Sequence, residues 1–153
     1  MYSPQLVVEL SRLLMMEVDA ARAYANAVAL LGPGPIRDEL ALIGRGHQEH
    51  ADAIRGEIAF RGYVAPDPTS SVEGYVLGSS GPPDAPPGPE EALGAVRRNE
   101  QLAGSLYAKL LARGPPEGAV PFLERHRAEA ERHRGWAERM LARRAWESPG
   151  ANR

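Results

Sequence analysis

Two glutamates and four histidines stand where a helical chain would otherwise place apolar side chains. Glu17 falls between Leu13 and Ala20, and Glu100 falls between Val96 and Ala103. His47, His50, His126 and His133 are the only histidines in the chain, and all of them occupy apolar seam positions. A carboxylate taken out of water costs several kcal/mol (about) unless something compensates it, and an unpartnered buried imidazole is also unfavourable. Two compensations suit this set. Carboxylate oxygen and neutral imidazole nitrogen together match a divalent ion such as iron, manganese or zinc. Alternatively the groups satisfy one another as a Glu–His hydrogen-bond network with no ion.

The elements that must position these residues follow from the spacing of apolar and small residues. Steps of three and four through Leu6, Leu10, Leu13, Ala20, Tyr24 and Ala27 predict a helix over residues 3–31, with Ser3 as its cap and Pro4 at its first position. The GPGP stretch ends it. A second helix over 35–61 carries the seam Leu40, Ile43, His47, His50 and Ile54, and Arg61-Gly62 closes it. Helices over 90–113 and 119–146 complete the set, the third through Leu93, Val96, Ala103, Tyr107 and Leu110, the fourth through Leu123, His126, Ala130, His133, Ala137 and Met140. Residues 147–153 read as a flexible tail.

Residues 62–89 contain seven prolines and five glycines and read as an irregular crossover. Fully extended they reach roughly 90 Å, against about 40 Å for one of these helices, so the direction of the third helix stays open. In an antiparallel hairpin, residues at one level have a constant index sum. That rule sets Glu17 level with His47 and His50, and Glu100 level with Ala130 to His133. Laid on itself at an offset of 83, the sequence aligns Pro4 with Pro87, Glu17 with Glu100, Ala20 with Ala103, Tyr24 with Tyr107, Leu40 with Leu123 and His50 with His133. The expected fold is an all-α four-helix bundle over 1–146, made of two similar hairpins.

This pattern resembles the ferritin-like superfamily, which includes bacterioferritins and rubrerythrins. The resemblance implies a metal site, iron first, in which Glu17 and Glu100 match the lone carboxylates and His50 and His133 match the histidines of two Glu-x-x-His pairs. Both bridging glutamates of those pairs are replaced, by His47 in HQEH and by Ala130 in AERH. The candidate metal ligands are therefore Glu17, His47, His50, Glu100 and His133 in some subset. Glu49 and Glu131, one residue from a histidine, are turned about 100° away. Tyr24, Tyr107 and His126 are expected to support the ligands, the tyrosines as core residues with bonded hydroxyls. A metal bundle resembling the DinB-like proteins would instead use His47, His126 and His133. A non-catalytic bundle acting through its surface is the alternative function.

Composition narrows the rest. The chain has no cysteine, which removes disulfides and thiolate ligands. Its net charge of −2 gives no overall pull toward nucleic acid, and the arginines of the last helix alternate with Glu124, Glu129, Glu131 and Glu138 as a solvated, ion-paired face. Glu9, Arg12, Glu17 and Asp19 interrupt the N-terminal apolar run, so neither a signal peptide nor a membrane span fits, and a cytoplasmic protein is expected. Apolar Val72, Tyr75, Val76 and Leu77 in the crossover would need cover, which suggests a homo-oligomer, a dimer in the first instance. No nucleotide fingerprint or Ser-His-Asp arrangement is visible.

Overall fold

The computed structural model describes residues 1–67 and 88–147. Four long helices account for most of them: α1 (Ser3–Leu30), α2 (Pro35–Phe60), α3 (Pro89–Ala112) and α4 (Val120–Ala142). Short 3₁₀ turns precede and follow α4, at Glu117–Ala119 and Ala145–Glu147. The apolar patch of the crossover, Pro87 of the repeat and the tail beyond residue 147 lie outside the described residues.

α1 begins one residue earlier than its capping signal suggests. Tyr2 is the cap and Ser3 is already helical, and Gln5 Oε1 accepts the Tyr2 amide at 3.3 Å, so a glutamine replaces the serine hydroxyl. α2 ends where the chain turns left-handed at Gly62 (φ 83°), which lets the Gly62 and Tyr63 amides bond back to Ala59 and Ile58. α4 stops at Ala142, and two residues later Arg144 adopts a left-handed φ of 49°.

α1 packs on α2 and α3 packs on α4 as two hairpins. Cross-hairpin contacts fix their relation. Glu9 pairs with Arg113, Tyr24 with Glu100 and Tyr107 with Glu17, so index sums stay near 123 and α1 runs antiparallel to α3. His50 meets Glu129, and the His47 ring lies 6.4 Å from that of His133, making α2 antiparallel to α4. The order is up-down-down-up. The segment after α2 must therefore link opposite ends of the bundle, which its length allows.

Burial follows the seams. Leu6, Leu10, Leu14, Leu40, Ile43, Ile54, Ile58, Leu93, Val96 and Leu123 form the apolar core above and below one polar layer. Burying each such side chain is worth about 1.5–3 kcal/mol, and this apolar surface is what can carry the cost of a polar layer. Among the described residues, no helix is long and apolar enough to cross a membrane.

Candidate metal centre

The polar layer is built around His47. Its Nδ1 lies 2.5 Å from Glu17 Oε2 and its Nε2 lies 2.6 Å from Glu100 Oε1. With both glutamates ionised their oxygens only accept, so both ring nitrogens donate and the ring is an imidazolium. Burial opposes that charge, yet Glu100 and Glu17 outweigh it and push His47 up to about 10. Burial likewise opposes ionisation of Glu100, but His47 and then His133 hold it down at about 2. Glu17 is held well below the carboxylate range, against burial, by His47 and His50.

The tyrosines complete the carboxylates across the bundle. Tyr24 donates to Glu100 Oε1 at 2.9 Å and Tyr107 donates to Glu17 Oε1 at 2.5 Å, so each hydroxyl serves the glutamate of the other hairpin. His126 Nδ1 lies 3.2 Å from the Tyr107 oxygen. Since the Tyr107 proton is committed to Glu17, His126 donates there. Burial, reinforced by the nearby charge of His50, pushes His126 down to about 4, which keeps it neutral.

His50 donates through Nε2 to Glu129 Oε2 at 2.5 Å, and its ring stacks on His126 with centroids 3.8 Å apart. Its Nδ1 is 3.5 Å from Glu17 Oε1. Against burial, Glu17 and Glu129 raise its basicity. His133 Nδ1 lies 3.7 Å from Glu100 Oε2, and its side chain is 21% exposed, so this expected core histidine reaches the surface.

Two triads of donor atoms result, Glu17–His47–His50 and His47–Glu100–His133, each with its atoms within 4.8 Å of one another. They share His47. The five residues expected to hold a metal are thus brought together, with Tyr24, Tyr107 and His126 around them. The grouping of His47, His126 and His133 does not form among the described residues, because His126 is turned to Tyr107 and His50.

Sequence reasoning missed Glu129. In the sequence its carboxylate reads as one of the solvated charges of the last helix, but it turns inward to His50 and is 27% exposed. The available signal was its spacing, four residues before His133 and three after His126, which puts it on the same helix face. Glu49 and Glu131 are exposed.

The chain superposes over most of its length on solved structures. A bacterioferritin from Rhodobacter capsulatus matches with a TM-score of 0.73 over 98% of this chain and 91% of that one, at 17% identity. The fold is ferritin-like. A second ferritin-like protein, described as a diiron-carboxylate protein from Bacillus anthracis, matches with a TM-score of 0.66 over 92% of this chain and 99% of that one, at 19% identity. No family model and no curated protein sequence matches the chain. In this ferritin-like bundle Glu17 and Glu100 lie at one height, both bonded to the His47 ring.

Proposed function

We propose that the polar layer binds a divalent metal ion, iron foremost, with manganese and zinc also suited to its donors, in a metal-handling or redox-related role. One observation carries the reading. His50 Nδ1, Glu100 Oε2 and His133 Nδ1 are buried without a hydrogen-bond partner, and all three belong to residues of the two triads. An unsatisfied buried polar atom costs about 1–3 kcal/mol, and coordination to a cation would relieve that cost. Carboxylate and imidazole are the right chemistry for such an ion. Glu17 and His50, Glu100 and His133 would hold it from two sides, with His47 a further donor once its ring gives up a proton. The similar structures lend support, one reported with a metal-free dinuclear site and heme iron, the other described as diiron-carboxylate.

A bound ion of this kind supplies Lewis acidity or a one-electron couple. The chain's own part is orientation. Tyr24 and Tyr107 fix one oxygen of each buried carboxylate, and His126 fixes Tyr107.

A second reading rests on His47 itself. An imidazolium bonded to both carboxylates already balances much of the buried charge, as a non-catalytic bundle working through its surface would require. Elemental analysis of protein purified without chelator separates the two. The metal reading expects close to stoichiometric metal, lost in Glu17→Ala and in His50→Ala. Trace metal that is unchanged in both variants would refute it. The second reading expects an equal or higher melting temperature when Glu17, His47 and Glu100 are all replaced by leucine.

A further inference from the structure

We propose that a gap between α3 and α4 at Gly104 is the portal through which a hydrated divalent cation reaches Glu100. This deepens the metal-binding reading and rests on it.

A cavity of about 170 Å³ lies between these helices, lined by Glu100, Gly104, Ser105, Ala108, Glu131 and Arg134 among others. At roughly 30 Å³ of liquid volume per water molecule, it takes about six waters, or an ion with part of its hydration shell. The gap exists because its walls are small. A Cβ placed on Gly104 would lie 3.9 Å from the Ala130 Cβ, in ordinary contact, so one methyl group fits and a longer side chain fills the space.

Glu100 gives the cavity its destination. The residue is 1% exposed, its Oε2 has no hydrogen-bond partner, and His133 Nδ1 stands 3.7 Å from that oxygen. A buried carboxylate oxygen left free beside a water-sized cavity is a receptor for a cation or its water. Two charges of opposite sign also line it, the exposed Glu131, 3.5 Å from Arg127, and the half-buried Arg134, 3.7 Å from Glu138. Glu131 raises the local concentration of cations and Arg134 lowers it.

The α2–α4 flank of the layer is filled by side chains. Between α2 and α4, Glu129 is bonded to His50, whose ring is stacked on His126. Reaching Glu17 from that side requires breaking a 2.5 Å bond and separating the rings, whereas the α3–α4 gap is lined beside Glu100 by the small residues Gly104, Ser105 and Ala108.

Stopped-flow absorbance with cobalt(II) as the probe, on chelator-stripped protein, tests the portal. Gly104→Met is expected to slow second-order uptake about tenfold while leaving the equilibrium Kd unchanged, and Gly104→Ala to fill at the wild-type rate. At low salt, Glu131→Gln slows uptake by about threefold and Arg134→Gln speeds it by a similar factor, both effects fading as salt is added. Wild-type kinetics in Gly104→Met overturn the portal. Should that variant not fold, equal rates at low salt for the two surface variants overturn it. Wild-type protein that takes up no cobalt overturns the metal-binding reading itself, and the portal with it. Uptake that is normal in every variant overturns the portal alone.

Discussion

With both nitrogens committed to carboxylates, the His47 ring places a positive charge between Glu17 and Glu100 at a depth where water does not reach. Removing one partner from a buried charged set strands the others, at a cost of about 3–5 kcal/mol. His47→Ala is therefore expected to lower the unfolding free energy of metal-free protein by about that amount in urea titration, with a slope matching wild type. A loss below about 1 kcal/mol would mean that the carboxylates find other partners or stay protonated. Much of this layer was legible in the sequence, because Glu17, His50 and Glu100 interrupt otherwise apolar seams. Glu129 was not, because α4 alternates arginine and glutamate and a single inward-turned carboxylate looks like its neighbours. The crossing of Tyr24 to Glu100 and of Tyr107 to Glu17 was also hidden, since it depends on how one hairpin sits against the other.

The hairpins themselves depend on close approach. Gly44 on α2 faces Tyr24 on α1, and a Cβ there would come within 3.2 Å of the Tyr24 Cβ. α2 can rest against the base of this tyrosine because a hydrogen occupies that position, and the tyrosine hydroxyl is thereby held on Glu100. Gly44→Val should destabilise the protein by about 1–3 kcal/mol through overpacking and weaken the Tyr24–Glu100 bond, visible as a lowered melting temperature. Unchanged melting would show that α2 moves aside freely. Helix number and hairpin pairing could be read from periodicity and from the glycine and proline breaks. The direction of α3 could not, since a 28-residue connection spans the bundle either way, and only pairs such as Glu9–Arg113 decide it.

At the scale of the molecule, the polar layer makes stability a function of pH. His47 and His50 bind protons more tightly in the folded chain, so their contribution is complete below the ordinary histidine value of 6.5 and is lost at higher pH, that of His47 as pH rises through about 10. Glu17 and Glu100 contribute fully above the ordinary carboxylate value of 4.5, and Glu100 loses its contribution as pH falls through about 2. His126, pushed down to about 4, disfavours the folded state as pH falls below 6.5. Metal-free protein should be most stable near neutral pH and lose stability steadily toward pH 10, as measured by denaturant midpoints across that range. A midpoint that rises from pH 7 to pH 10 would contradict the assignment.

The lone imidazole between the two halves has one more implication. Glu17 falls on Glu100 when the sequence is laid on itself at an offset of 83, and His47 touches both, while the position 83 residues after His47 holds Ala130. Two identical hairpins related by a strict two-fold axis would have to bring two such histidines, or none, to the same spot. Joining the hairpins into one polypeptide removes that constraint. Each half can then be altered separately, and a single off-symmetry substitution can change the charge of a centre that a symmetric pair could change only by two residues at a time.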